Sequence, residues 1–200
     1  MNNLEKNNNP RIGVFVDNAN LFYAQKQSKW KVDIQKLKEI FLVLNTQFIR
    51  YYIAIPSQDD LVFAETQKYL DKIKQFVDIH TKPLKYINIG NKIIKKGDVD
   101  VDITVDVIES IKEYDVAVIV SGDSDYIALR DFLLRRNKKI IFMGFKNNLS
   151  YEIKKGKYIL FESIRKEIEL GDKKITPEFN LGRILLPLVY PIENKSQEIN

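Results

Sequence analysis

The sequence predicts an α/β protein: a three-layer α/β/α sandwich with a mostly parallel central sheet. Two observations carry that prediction. Apolar runs without polar alternation, such as IGVFV and VAVIV, read as strands buried on both faces. Stretches with helical spacing separate those runs, and strands alternating with helices build a parallel sheet covered on both sides.

The first ten residues, MNNLEKNNNP, read as a disordered leader. The first strand runs from Ile12 to Val16 and ends at Asp17. Residues 33–44 place Ile34, Leu37, Ile40 and Phe41 on one helical stripe. QFIRYYIAI, residues 47–55, is the second strand, stopped by Pro56. Residues 59–78 read as a long amphipathic helix with Leu61, Ala64, Tyr69, Ile73 and Phe76 facing inward. LKYINI, residues 84–89, is the expected third strand, and GNKIIKKGD after it a loop or short hairpin. Residues 99–113 read as a helix, 115–122 as the fourth strand, 124–136 as a helix and 138–145 as the fifth strand. A short helix at LSYEIKKG, a short strand at KYILFE and a last helix at ESIRKEIEL complete a domain over residues 11–170. Residues 171–200 lack periodicity and read as a tail or docking arm. Its apolar run at 184–192 is a candidate contact for a second copy or another protein.

Composition narrows the chemistry. The chain has no cysteine and a single histidine, His80, so thiol nucleophiles, zinc-thiolate sites and a Ser-His-Asp triad lack material. Trp30 and His80 stand away from the acidic motifs and read as structural. The net charge of +5 suits a polyanionic partner. The polar N-terminus has no apolar signal region, and LGRILLPLVYPI is too short and too interrupted to span a bilayer. A cytoplasmic protein is expected.

The strand ends carry the functional signal. In parallel sheets the working crevice lies beyond the carboxyl ends of the strands. Asp17 ends strand one, beside Asn18 and Asn20, and Asp123 and Asp125 follow strand four. The segment KKGDVDVDITVD adds Asp98, Asp100, Asp102 and Asp106 near a helix start. Helical spacing puts Asp100 with Thr104, Val107 and Ile111, and puts Asp98, Asp102 and Asp106 on another stripe. Asp98 is a candidate helix cap, and both Asp17 and Asp123 could also serve as caps. An oxygen-only cluster of this kind suits Mg²⁺ or Mn²⁺ rather than zinc or copper. Such an ion polarises a phosphodiester and acidifies a bound water.

VFVDNAN, KKGDVDVDITVD and VIVSGDSDY, in this order, resemble the three signature motifs of the NYN domain, in its LabA-like branch. The resemblance covers about residues 11–165 and implies a PIN-like fold with a metal-dependent nuclease site that acts on RNA. It implies Asp17, Asp100, Asp123 and Asp125 as metal ligands and Asp106 as the second motif's further acid. It places Asn20 as the first motif's asparagine and Ser121 where it can hydrogen-bond a ligand or water. It also implies in-line attack by water, leaving a 5′-phosphate and a 3′-hydroxyl. PIN-like nucleases often carry another acid on an early helix, for which Glu39 and Glu65 are candidates that no motif selects.

Asn18, Asn20, Ser121, Ser124, Tyr126 and Lys96 border these acids in sequence, and with Lys146 they are the candidate substrate contacts. Lys146 would meet phosphate from the loop after strand five, and Tyr126 would either stack on a base or sit as a buried core tyrosine. Two functions stand from this reading: a Mg²⁺- or Mn²⁺-dependent endoribonuclease acting on single-stranded RNA, or an RNA-binding regulatory module of the same fold with weak turnover.

Overall fold

The computed structural model describes residues 9–90 and 92–171. The expected leader and the tail with its run at 184–192 fall outside those residues, save for residues 9, 10 and 171.

Six parallel strands form the sheet: β1 (Ile12–Asp17), β2 (Thr46–Ile55), β3 (Asp78–Pro83), β6 (Val116–Val120), β7 (Lys139–Gly144) and β8 (Tyr158–Leu160). Their spatial order is β3-β2-β1-β6-β7-β8. The chain builds outward to one side of β1, then returns to lay β6 on its other side. That reversal opens a crevice at the carboxyl ends of β1 and β6. At the opposite end, Arg11 grips Asp115 through Nη2 at 3.0 Å and Nε at 3.1 Å. This guanidinium holds the Asp115 carboxyl well below the usual Asp range.

Strand alternation sorts the core into two layers. Val14, Val16, Tyr51, Val118, Val120, Ile141 and Met143 face one side. There they meet α1 (Asn18–Ser28), α2 (Ile34–Leu42), α3 (Phe63–Ile73) and α7 (Arg165–Ile168) through Leu21, Leu37, Phe41, Leu70 and Ile168. Phe15, Tyr52, Ala117, Ile119, Ile140 and Phe142 face the other side. They meet α4 (Asp100–Glu109), α5 (Ile127–Arg135) and α6 (Tyr151–Lys154) through Ile103, Val107, Leu129, Leu133 and Ile153. This is the three-layer α/β/α sandwich expected from the sequence. Trp30 is buried against Phe145, ring centroids 4.6 Å apart, with the Arg165 guanidinium over its face, in agreement with a structural role.

The region between β2 and α4 departs from expectation. The helix expected over 59–78 is only Phe63–Ile73, and Leu61 is 99% exposed. The sheet's edge strand is Asp78–Pro83, inside and just beyond that expected helix. It is polar and lies at an edge, so it lacks the apolar run that marks a central strand. The segment expected as the third sheet strand is instead β4 (Lys85–Ile89), which pairs antiparallel with β5 (Lys92–Lys96). This hairpin is a separate two-stranded sheet. Asp98 does not cap α4: the cap position is Val99, and Asp98 pairs with Lys96 at 3.0 Å. Gly97 carries the chain back from the hairpin. A Cβ there would lie 2.5 Å from Ala54 Cβ and 2.6 Å from Leu84 Cδ1. The missing side chain lets the start of α4 sit close over the end of β2.

Candidate active site

Asp17 ends β1 and caps α1, its Oδ1 accepting from the Asn20 backbone N–H at 3.0 Å. The cap uses one oxygen only. Oδ2 accepts from Ser121 Oγ and from the Tyr126 hydroxyl, each at 3.3 Å. Asp17 is 6% exposed, and burial pushes its carboxyl above the usual Asp range. Ser121 Oγ also accepts from the Asp123 N–H at 3.2 Å, so one buried hydroxyl joins the two acidic segments. Asp123 caps a 3₁₀ turn (Ser124–Tyr126), its Oδ1 accepting from the Asp125 N–H at 3.0 Å. The capping and site readings of Asp17 and Asp123 are therefore compatible.

Asp100 reaches this place from the first residue of α4, which packs against β1 and the 3₁₀ turn. The Tyr126 phenol reports the convergence. Burial raises its pKa most, and the charges of Asp17, Asp100 and Asp123 each raise it further. The charges of Asp17, Asp100 and Asp123, carried on three separate segments, thus all act on one phenol, which Asp17 also touches.

A polar strap holds the crevice in shape. Asn20 Oδ1 accepts from the Gly122 N–H at 2.8 Å and from Asn148 Nδ2 at 2.6 Å. Ser150 N–H donates to the Gly122 carbonyl at 2.9 Å. Beside it, Tyr51 donates to Asn18 Oδ1 at 2.5 Å and shares a 2.9 Å contact with the Tyr69 hydroxyl. Tyr51 thereby fixes the Asn18 oxygen and leaves the amide nitrogen free to donate elsewhere. Asn148 and Tyr51 were not singled out from sequence. Asn148 lies in the loop after β7, at the edge where Asp17 and Asp123 lie, and that position was the available signal.

Several sequence-derived assignments change. Tyr126 is 0% exposed, so its ring has no face for a base; its hydroxyl orients Asp17 instead. Asn20 uses its side-chain oxygen to strap loops together. Ser121 is buried and acts on Asp17 and Asp123. Lys146 donates its backbone N–H to Glu162 and accepts Lys154 Nζ on its carbonyl. Its side chain is exposed, and no contact ties it to the acids. Lys96 pairs with Asp98 and feels the charge of Asp100. Ser124 and Asp125 are exposed at the rim.

Asp106 belongs to a different cluster. Arg50 Nη1 lies 2.8 Å from its Oδ1, the Tyr52 hydroxyl bonds its Oδ2, and His80 Nδ1 is 3.8 Å away. His80, distant in sequence from the acidic motifs, therefore lies near one of their acids. This cluster cross-links α4 to β2 and β3. Glu39 accepts from Gln35 on the exposed side of α2, and Glu65 is exposed in the first turn of α3.

The acids at the crevice fit a hard divalent cation by their chemistry. Their donor set is all oxygen. Among the described residues, no lysine, arginine or histidine forms an ion pair with Asp17, Asp100, Asp123 or Asp125. A buried carboxylate without a positive partner is costly, and a cation offsets that cost. No three acidic or imidazole side chains among the described residues form a ready-made cage. Magnesium tolerates this, since it is commonly held by one or two carboxylates and keeps several waters. No helix among the described residues is long and apolar enough to cross a membrane.

Comparison with known proteins agrees with this architecture. The chain is 23% identical over 172 residues to the low amplitude and bright protein LabA of Synechococcus elongatus, covering 82% of this chain and 90% of that protein. A crystal structure of a protein of unknown function from Vibrio parahaemolyticus superposes with a TM-score of 0.66 at 19% identity. It covers 84% of this chain and all of that one, and so shares the fold. The NYN domain model matches residues 11–161, from the start of β1 to the end of β8, and the chain belongs to the NYN domain family.

Proposed function

We propose that this NYN domain is a metal-dependent endoribonuclease whose site is built from Asp17, Asp100 and Asp123, with Asp125 at the rim. The observation that carries the reading is the set of uncompensated carboxylates at the carboxyl edge of β1 and β6. A bound Mg²⁺ or Mn²⁺ would supply Lewis acidity and a water acidified toward neutral pH. The chain's own residues do the rest. Ser121 and Tyr126 hold the Asp17 carboxylate in one orientation, and the backbone of the 3₁₀ turn holds Asp123. The Asn18 amide, oriented by Tyr51, can donate to a phosphate oxygen. The straps through Asn20 and Asn148 keep the loops from spreading when an anionic strand approaches.

The test is cleavage of end-labelled single-stranded RNA with Mn²⁺, with Mg²⁺ and with EDTA, beside Asp123→Asn. Asparagine keeps the cap to the Asp125 N–H and removes the charge. Cleavage should need metal and fall at least about a hundredfold in the variant, as expected for loss of transition-state charge stabilisation. Full activity in Asp123→Asn, with wild-type metal dependence, would sink the proposed site. Metal-independent RNA binding without cleavage by the wild-type chain would instead support the regulatory module.

A further inference from the structure

The β4–β5 hairpin stands outside the main sheet. Directly opposed residues of an antiparallel pair share a face, and successive residues alternate. The register therefore puts Tyr86, Lys95, Asn88 and Ile93 on one face. It puts Lys85, Lys96, Ile87, Ile94, Ile89 and Lys92 on the other.

The first face has a partner within the chain at its Tyr86–Lys95 end, while Ile93 toward the turn is 64% exposed. Tyr86 donates to Asp60 at 2.8 Å and accepts from the Ser57 N–H at 2.9 Å, and Lys95 lies 2.6 Å from Asp60. These contacts root the hairpin on the loop after β2. The second face has no such cover. Ile87, Ile94 and Ile89 are 40%, 47% and 58% exposed. On that face, Lys96 pairs with Asp98, while Lys85 and Lys92 have no acidic partner among the described residues.

This arrangement is locally unfavourable. An isolated two-stranded hairpin is marginal in water. Lys85 lies directly opposite Lys96, and like charges across a strand pair are destabilising. An anion bound across that face removes the penalty. Three isoleucines between three lysines set apolar surface beside charges that can meet phosphates, a combination that suits the alternating phosphates and bases of a single-stranded nucleic acid. The lysines also guard the hairpin against pairing with another strand edge.

Position connects the face to the acids. The chain leaves β5 through Gly97, packed against Ala54 and Leu84, and enters α4 at Asp100. Lys82 of β3 donates to the Asp98 carbonyl at 2.7 Å and pairs with Asp102, which pins this exit. Lys96 feels the charge of Asp100.

We propose that the Lys85–Ile87–Ile89 and Lys92–Ile94–Lys96 face of the hairpin is a rest for single-stranded RNA, taking the phosphodiester backbone of the strand that leaves the acid cluster. This rests on the nuclease reading above and adds where the substrate lies. Contacts of this kind favour length over sequence, because the lysines reach backbone charge.

The test uses the full chain carrying Lys85→Glu and Lys92→Glu, with Lys85→Gln and Lys92→Gln as a second variant. Binding to fluorescein-labelled single-stranded RNA of about 20 and about 5 nucleotides would be read by anisotropy in EDTA. The salt dependence would be followed between about 50 and 200 mM. Cleavage of both lengths would be measured with Mn²⁺. The long RNA should lose affinity about tenfold or more, and the slope of log affinity against log salt should fall by about 1.4 for two lost phosphate contacts. The short RNA should bind and be cleaved as before. Lys85→Glu sets an acid opposite Lys96, so the hairpin itself should be no less stable by thermal melting, and lost binding would not be lost folding.

Unchanged affinity and salt slope for the long RNA would overturn the proposal. So would a wild-type dimer that dissociates in the variant, which would make the face a contact between copies. Failure of the nuclease reading looks different: no metal-dependent cleavage of either length, with long-RNA binding still dependent on the lysines.

Discussion

Gly122→Ala should destabilise the fold and abolish cleavage together. A Cβ at this position would lie 2.2 Å from the Asn148 carbonyl oxygen, 2.6 Å from its carbon and 3.0 Å from Leu149 N. All three are backbone atoms, so no side chain can rotate away. The loop after β7 must move, and with it the strap from Asn148 to Asn20 and the bond from Ser150 to the Gly122 carbonyl. Overpacking of this kind costs about 3 kcal/mol, or roughly 6–12 °C in the melting midpoint for a chain of this size. The substitution lies one residue before Asp123, so a shift of even an ångström there misplaces the carboxylate. Differential scanning calorimetry with the cleavage assay checks both effects. A variant that melts and cleaves like the wild type would mean that the close approach is not needed.

Asp17→Asn should have opposite effects on function and stability. Burial holds the Asp17 carboxyl above the usual Asp range. An acid raised in the folded state favours the fold when protonated, and that contribution is lost as pH rises through its folded pKa. Ionising it in the metal-free protein therefore leaves a buried charge with no counter-charge among the described residues. Asparagine has the same shape, keeps the oxygen that accepts from the Asn20 N–H, and can donate from Nδ2 to the Ser121 and Tyr126 oxygens. Metal-free Asp17→Asn should melt at or above the wild type at pH 7. The difference should shrink as pH falls and the wild-type carboxyl takes up a proton, and because burial raises its pKa this begins above the usual Asp range. Added Mn²⁺ should stabilise the wild type and not the variant, because only a folded state that binds the ion gains by it. A metal-free variant less stable than the wild type at pH 7 would show that the Asp17 charge is already compensated.

Much of this was legible in the chain. β1, β6 and β7 are continuous apolar runs, and their buried faces follow from that alone. Asp17 and Asp123 could be placed on one edge because parallel strands bring their carboxyl ends together. The edge strand Asp78–Pro83 was not legible, since a strand covered poorly on both faces needs no apolar pattern. LKYINI read as the third strand of the sheet, yet it forms a hairpin outside it with its isoleucines exposed. The strap between Asn20 and Asn148 spans 128 residues, and no local pattern encodes such a partner. Tyr126 followed the acid pair and so looked like a substrate contact. Only the packing of α4 over the sheet shows it buried beneath the acids.

The central proposal is that Asp17, Asp100 and Asp123 serve one divalent ion, directly or through its waters, while Asp106 serves the fold through Arg50 and Tyr52. Electron paramagnetic resonance titration of Mn²⁺ tests it without RNA and without turnover. The wild type should show one principal site. Its affinity should fall at least about tenfold in each of Asp17→Asn, Asp100→Asn and Asp123→Asn, and stay unchanged in Asp106→Asn. Wild-type affinity in Asp100→Asn, or a loss confined to Asp106→Asn, would contradict the account.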